Sequence, residues 1–149
     1  ASLGSDIPFF LNPGAARCTG RGEIIQNIPS PAPLRVLLLK PKFSVPTPDA
    51  YGRWRGSEEL PGLPYAAQEI GGITLINDLE RPVFGKHRFL AEVKQWLLLR
   101  DECSAALLAG SGSTLFAILR DDANPSELAR CARHELDPAL WHWTGMTGT

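Results

Sequence analysis

The sequence predicts an α+β fold: a two-layer sandwich in which a small, mostly antiparallel sheet carries helices on one face. Two observations predict it. Apolar runs of strand length are separated by glycine- and proline-containing turns, which favour hairpins and antiparallel neighbours. Two further segments, residues 87–100 and 125–134, have the apolar spacing or the capping residues of helices.

The composition is that of an ordinary soluble domain, with 149 residues of which 44% are hydrophobic and 21% charged. Fifteen basic and sixteen acidic residues give a net charge of −1, so no bulk positive field attracts nucleic acid or an anionic membrane. No apolar stretch approaches the roughly 20 residues that cross a bilayer, and no signal-peptide pattern opens the chain. We therefore expect a cytoplasmic protein without nucleic-acid or membrane partners.

The cysteines and histidines do not indicate a metal site or a disulfide framework. The three cysteines are odd in number, far apart and free of any CxxC pair: they are Cys18, Cys103 and Cys131. The three histidines fall in three separate segments: they are His87, His134 and His142. The sequence therefore predicts reduced thiols and no bound metal.

The first half of the chain predicts a hairpin, a buried strand and a long loop. Residues 14–28 contain two strand-like runs joined by a glycine-containing turn. After a proline-rich break, the apolar run Leu34–Leu39 is typical of a buried strand. Residues 43–64 carry four prolines and predict a loop with one helical turn around residues 49–54.

The second half predicts two helices and three further apolar segments. Residues 87–100 have an amphipathic stripe, and Asn124-Pro125 is a typical N-cap followed by proline at the first helical position. Residues 105–109 and 114–119 flank a glycine turn, and the first of them is a strand or a helix end. A last strand is expected at Leu140–Trp143.

Asp6, in the run Gly4–Phe10 (GSDIPFF), is the acidic residue whose setting most suggests catalysis. A carboxylate near the acceptor oxygen takes its proton in phosphoryl transfer to a hydroxyl. The alternative is structural, since aspartate followed by proline suits a turn or a helix N-cap. The chain lacks an initiator methionine and starts at Ala1, directly before this motif, which predicts a piece of a longer protein.

Five segments together resemble the C-terminal half of the GHMP kinases, in the order that this family shows. They are GSDIPFF at Gly4–Phe10, GAARCTGRGE at Gly14–Glu23, KPKFSVPTP at Lys40–Pro48, NDLE at Asn77–Glu80 and GSGSTLF at Gly110–Phe116. The resemblance spans nearly the whole chain. It implies a C-terminal α/β sandwich whose cleft against an N-terminal domain holds the substrates.

The resemblance also divides the chain and assigns its catalytic parts. Residues 1–29 correspond to a remnant of the catalytic N-terminal domain, with the Asp motif and the hairpin, and residues 30–149 to the substrate-binding C-terminal domain. Asp6 matches the family's catalytic base. The family's catalytic lysine and its Pro-x-x-x-Gly-x-Gly-x-Ser-Ser nucleotide loop have no counterpart here. ATP and Mg²⁺ are therefore expected in the complete enzyme, with the missing N-terminal half as partner, and neither is expected on this fragment, which is expected to be inactive alone.

The glycine loop of residues Gly110, Ser111, Gly112 and Ser113 has two interpretations. Glycines permit both a tight hairpin turn and close approach of backbone N–H groups to a phosphate. By resemblance the loop matches the third GHMP motif, which lies at the active site and supports the phosphate region.

The pair Asn77-Asp78, before Leu79, predicts a turn or a cap.

Tyr51 follows Thr47 and Pro48 on a proline-stiffened loop and is a candidate platform for stacking a base. Partial burial of its ring in the core is the alternative. By resemblance, Tyr51 stacks on the cytosine of a small cytidyl substrate, 4-diphosphocytidyl-2-C-methyl-D-erythritol, and Thr47 and Pro48 also bind this substrate. A hydroxyl of this compound is phosphorylated in non-mevalonate isoprenoid biosynthesis. A GHMP kinase of the homoserine or mevalonate type, or a non-catalytic ligand-binding module, are the alternatives.

Overall fold

The computed structural model describes Phe9 and residues 14–148. Asp6 lies outside the described residues. The chain divides after Pro33 into two compact units, of which the second is Leu34–Thr147. Each unit is described by itself.

The described residues of the first unit include a β-hairpin. Strand β1 (Ala16–Thr19) pairs antiparallel with β2 (Ile24–Asn27), and Thr19 lies opposite Ile24. Gly20 and Gly22 in the turn have φ angles of +73° and +111°, which only glycine adopts without strain. The hairpin predicted over residues 14–28 is confirmed.

The second unit contains six strands and four helices within the described residues. In chain order they are β3 (Arg35–Lys40), α1 (Thr47–Gly52), a 3-10 turn (Trp54–Gly56), β4 (Gln68–Ile70), β5 (Ile73–Leu75), α2 (Glu80–Lys86), α3 (Arg88–Leu98), β6 (Cys103–Leu108), β7 (Leu115–Leu119), α4 (Pro125–Glu135) and β8 (Trp141–Met146). Four of these strands form one antiparallel sheet in the order β6-β7-β3-β8, and β4 and β5 pair with each other.

Both faces of the central sheet carry buried apolar residues, but helices cover only one of them. Leu37 and Leu39 of β3 point into the main core, where they join apolar residues of all four helices: among these are Ala50, Phe84, Leu90, Leu97 and Leu128. The intervening Val36 belongs to a smaller cluster with Ile118, against which Ile70 of the β4–β5 hairpin packs. Because alternate strand residues face opposite sides, the apolar run of β3 serves both clusters. The predicted sandwich with helices on one face is confirmed.

Both predicted helices form, and their ends follow local chemistry. Asn124 caps α4, since its Oδ1 accepts a hydrogen bond of 3.2 Å from the backbone N of Glu127. The apolar face of α3 supplies Leu90, Val93 and Leu97 to the main core.

The structure also shows elements that the sequence did not predict. The β4–β5 hairpin and α2 occupy residues 68–86, where no element was expected. Residues 105–109 belong to a strand rather than a helix end, and β8 continues to Met146. The three-residue strands are too short to show alternation, and α2 contains Pro82 and Gly85, which local propensity disfavours in a helix.

The three cysteines are free, and they differ in their surroundings. Cys18 is exposed, whereas burial raises the pKa of the Cys103 thiol in β6 to about 12. Since the thiolate is the nucleophile, we expect iodoacetamide at pH 8 to alkylate Cys18 rapidly and Cys103 only after denaturation. Peptide mass spectrometry measures both rates, and equal rates would show that β6 opens readily.

Within the described residues, no helix combines the length and apolar character needed to span a bilayer.

Candidate functional site

The glycine loop is a tight turn between β6 and β7. Its ends are closed by a hydrogen bond of 2.8 Å from the N of Ala109 to the O of Thr114, and the N of Gly112 donates to the O of Ala109 at 2.9 Å. Gly110 and Gly112 have φ angles of +55° and +86°. A Cβ atom on Gly112 would lie 2.9 Å from Leu108 Cδ1, so that leucine side chain would have to shift, and the positive φ angle of Gly112 by itself favours glycine.

Two other segments, residues 43–47 and the turn at Asn77, hold the loop through hydrogen bonds that involve side chains. The hydroxyls of Thr47 and Ser111 lie 2.9 Å apart, at hydrogen-bond distance. Ser113 is buried, and its Oγ donates to the O of Phe43 at 2.5 Å. Asn77 Nδ2 donates to the O of Gly110 at 2.8 Å. Three of the five sequence motifs, distant along the chain, therefore meet at one loop.

Side chains instead of a further strand cover the outer edge of β6. Gln68 donates through Nε2 to the O of Ala106 and accepts through Oε1 from its N, at 3.0 and 3.1 Å. Leu108, two residues after Ala106 on β6, is bound in the same way. Its N donates to Glu80 Oε1 at 2.9 Å, and its O accepts from Asn77 Nδ2 at 2.7 Å. The outward-facing backbone groups of Ala106 and Leu108 are thus paired at this edge, up to the start of the glycine loop.

A buried ion pair lies beneath this edge. Lys94 Nζ on α3 lies 2.6 Å from Glu80 Oε2 and donates to the O of Pro64, also at 2.6 Å; the two side chains are 1% and 2% exposed. The rings of Tyr65 and Phe84 lie 5.6 and 6.0 Å from Nζ. Burial raises the pKa of Glu80, and the hydrogen bond from Lys94 opposes that shift.

Sequence reasoning missed this pair, although a signal was present. Lys94 lies four residues after Leu90 and three before Leu97, so it occupies the apolar stripe of α3. A lysine in that stripe requires a buried partner, and Glu80 closes the NDLE motif.

An aromatic groove of about 550 Å³ lies beside the loop. Its walls include Tyr51, Trp54, Asn77, Asp78 and Gly110. Tyr51 is 63% exposed and Trp54 is 42% exposed, so neither ring belongs to the core. The stacking interpretation of Tyr51 requires this exposure, and core burial of its ring is not observed. Trp54 was missed, although it follows Tyr51 by three residues on the same proline-rich loop.

A small charge network fixes the helix that carries Tyr51. Asp49 on α1 contacts Arg53 at 3.1 Å and Lys86 of α2 at 3.0 Å. The hydrogen bonds from Lys86 and, to a smaller extent, from Arg53 lower the pKa of Asp49.

His87 lies next to this network and stacks on Phe43, with ring centroids 5.4 Å apart. Its pKa is lowered, chiefly by burial. Across the described ranges, no three His, Cys, Asp or Glu side chains are grouped to hold a metal ion.

The sequence over residues 66–137 matches the family profile described as GHMP kinases C terminal. Over these residues the chain is a GHMP kinase C-terminal domain. The matched range contains Asn77, the Glu80–Lys94 pair and the glycine loop, whereas Tyr51 precedes it. The resemblance that the motifs indicated is confirmed.

Relatives of this GHMP kinase domain that match more of the chain share one name. The 4-diphosphocytidyl-2-C-methyl-D-erythritol kinase of Methylacidiphilum infernorum is 40% identical over 148 residues, covering 95% of this chain and 50% of that protein. The chloroplastic kinase of the same name from Mentha piperita is 40% identical over 126 residues, covering 78% of this chain and 31% of that protein.

A solved structure agrees with these relatives. The crystal structure of a 4-(cytidine 5'-diphospho)-2C-methyl-D-erythritol kinase is similar with a TM-score of 0.66 and 31% identity, over 97% of this chain and 54% of that chain. The chain therefore spans about half the length of the bacterial relative and of the solved structure.

The residues predicted for the site divide into three groups in the GHMP kinase domain and its flanks. Tyr51 lines the groove, and Gly110 lies where groove and loop meet. Thr47 touches the loop through Ser111, and Pro48 follows it in the first turn of α1. Asp6 lies outside the described residues, so its role stays a prediction.

Proposed function

We propose that this chain is the C-terminal, substrate-binding part of an ATP-dependent kinase that phosphorylates a hydroxyl of 4-diphosphocytidyl-2-C-methyl-D-erythritol. The observation that carries the proposal is the joining of an exposed aromatic groove to a side-chain-anchored glycine loop at Gly110. The names of the relatives and of the solved structure support the same substrate.

In this proposal each part of the site has one task. Tyr51, with Trp54 beside it, stacks the cytosine ring, because an exposed aromatic face binds a base through its π surface. Thr47, at hydrogen-bond distance from Ser111, ties α1 to the loop, and Pro48 lies beside it in the first turn of that helix. The glycine loop supports the phosphate region through its backbone. Asp6 takes the proton of the acceptor hydroxyl as general base.

The described residues do not by themselves fit ATP or Mg²⁺. They include no lysine-bearing phosphate loop and no cluster of three ligating side chains. ATP is the phosphate donor expected of the family, and Mg²⁺, which binds mainly through substrate phosphates, would neutralise their charge in the complete enzyme. We propose that both bind chiefly to the N-terminal half, and that residues 1–29 belong to that half and residues 30–149 to the substrate-binding domain. The proposed location is the cytoplasm.

A phosphotransfer assay tests the function. The full-length protein is expected to consume ATP with 4-diphosphocytidyl-2-C-methyl-D-erythritol, and much less with homoserine or mevalonate. Preference for either of these acceptors would reassign the substrate within the GHMP kinases. Ligand binding without turnover would favour a non-catalytic module. The 149-residue chain alone is expected to show no turnover, and measurable turnover would contradict its proposed role as part of the enzyme.

Replacing Tyr51 by alanine is expected to weaken binding of the cytidyl substrate with little change in kcat. Base stacking on an aromatic side chain contributes about 1–3 kcal/mol, so we expect KM to rise roughly 5- to 150-fold. Tyr51→Phe is the matched control, because it keeps the ring and removes only the hydroxyl. Steady-state kinetics measure both variants, and a loss confined to kcat would argue against stacking.

A further inference from the structure

The side chain of Asn77 forms three hydrogen bonds, more than a simple cap requires. Its Oδ1 accepts from the N of Leu79 at 3.0 Å, which is the turn that the sequence predicted before α2. Its Nδ2 donates both to the O of Leu108 and to the O of Gly110, at 2.7 and 2.8 Å. One side chain therefore joins the start of α2 to the end of β6 and to the first residue of the glycine loop.

The base of this connection is rigid. Three residues after Asn77, Glu80 accepts from the N of Leu108, and Glu80 is itself held by Lys94 in the core. Leu108 is thus fixed through its N by Glu80 and through its O by Asn77. The Asn77 side chain is hydrogen-bonded both to the start of α2, at Leu79, and to the end of β6, at Leu108. Its amide therefore has a defined position.

Gly110 is where the loop needs such an anchor. It has no side chain and a φ angle of +55°, so sterics alone leave the orientation of its carbonyl free. The other two attachments act further along, at Ser111 and Ser113. Asn77 also lines the aromatic groove with Tyr51.

We propose that Asn77 is a positioning residue, whose side-chain amide fixes the glycine loop in the conformation needed for phosphoryl transfer. The inference rests on the proposed function, because it assigns the loop to the phosphate region of that reaction. Asn77 acts through the Gly110 carbonyl and not on the reacting atoms. A small displacement of such a loop is costly to the rate, since catalysis depends on sub-ångström positioning.

Asn77→Asp separates the two roles of the side chain. Aspartate keeps the oxygen that accepts from Leu79, but it has no N–H to donate and places a negative charge beside two carbonyl oxygens. Gln68→Glu is the matched control, because the same amide-to-acid change removes a donor to Ala106 on the same strand edge. Asn77→Ser is the second variant, neutral and still able to cap, if the aspartate variant does not fold.

Hydrogen exchange of the full-length protein, read by mass spectrometry, is the first measurement. The amides of Ala109 and Gly112, which close the loop, are expected to exchange at least tenfold faster in Asn77→Asp and Asn77→Ser, while those of β3 stay unchanged. In Gln68→Glu the loop amides should keep their wild-type rates. Wild-type rates in both Asn77 variants, or equal loosening in Gln68→Glu, would overturn the proposal.

Kinetics of the same proteins are the second measurement. The Asn77 variants are expected to lose at least tenfold in kcat for the cytidyl substrate, and Gln68→Glu to stay within twofold of wild type. A loosened loop with unchanged kcat would overturn the proposal, because the loop conformation would then not matter to the reaction. If the wild-type protein phosphorylates no cytidyl substrate, the proposed function fails, and hydrogen exchange still decides whether Asn77 fixes the loop.

Discussion

Replacing Lys94 by methionine is expected to destabilise the fold by about 3–5 kcal/mol, the usual cost of removing one partner of a buried ion pair. Methionine fills much of the same volume, so the loss comes from charge and hydrogen bonding rather than from a cavity. Glu80 loses its cation, and the O of Pro64 loses its donor. Urea denaturation followed by circular dichroism measures the change in unfolding free energy.

The size of this loss should depend on pH in a defined direction. Without Lys94, burial raises the pKa of Glu80 further, opposed only by the hydrogen bond from the N of Leu108, and the folded variant takes up a proton there. The folded pKa then exceeds the ordinary glutamate value of 4.5, so stability is lost as pH rises above that value. The loss should grow by about 1.4 kcal/mol per pH unit until the carboxylate is buried in its charged form. We therefore expect a larger difference from wild type at pH 8 than at pH 5.

Two controls isolate the buried pair. Lys86→Met makes the same substitution in the exposed pair with Asp49, where about 0–1 kcal/mol is expected. In the double variant Glu80→Gln/Lys94→Met the amide oxygen can still accept from Leu108 without a buried charge, so part of the stability lost at pH 8 should return. Equal costs for Lys94→Met and Lys86→Met would contradict the proposed importance of the buried pair.

Replacing Asp6 by asparagine is expected to lower kcat of the full-length protein by a factor on the order of 10² or more, as loss of a general base does. The amide has nearly the same shape as the carboxylate but cannot take the proton of the acceptor hydroxyl. KM for the cytidyl substrate should change little, because the stacking groove is left intact. Steady-state assays with 4-diphosphocytidyl-2-C-methyl-D-erythritol and ATP measure both constants.

Asp122→Asn is the control for charge removal, since Asp122 forms an exposed pair with Arg120 at 3.7 Å. It should retain wild-type kcat. If the Asp6→Asn protein is as active as wild type, Asp6 has no part in the mechanism. Asp6 would then be the turn or cap residue of the structural alternative.

The parts of the fold that the sequence predicted are those specified by local chemistry. The apolar stripe of α3 and the Asn124 cap of α4 are visible in single segments. The β4–β5 hairpin is not, because much of its anchorage lies in the pairing of Gln68 with Ala106, 38 residues away. Helix α2 likewise depends on the burial of Phe84 and on the Glu80–Lys94 pair rather than on propensity.

The sequence named several residues that line or hold the candidate site, but not the contacts that join them, and it missed Trp54 and the Glu80–Lys94 pair. Tyr51, Thr47 and the glycine loop came from motif resemblance, and the structure places them close together. The role of Asn77 beyond a turn could not be predicted, because its donors reach carbonyls 31 and 33 residues later in the chain. Backbone carbonyls leave no trace in a sequence pattern, so such contacts appear only in three dimensions.

The attachments of the glycine loop span long stretches of chain. They join residues 64, 33 and 70 positions apart, and each requires a different element to be in place. Loop-closure entropy makes such contacts late events in folding, after the local helices and hairpins. The groove and loop are therefore expected to acquire their geometry only as the chain completes folding, so a partly folded intermediate would contain native helices and yet recognise no ligand.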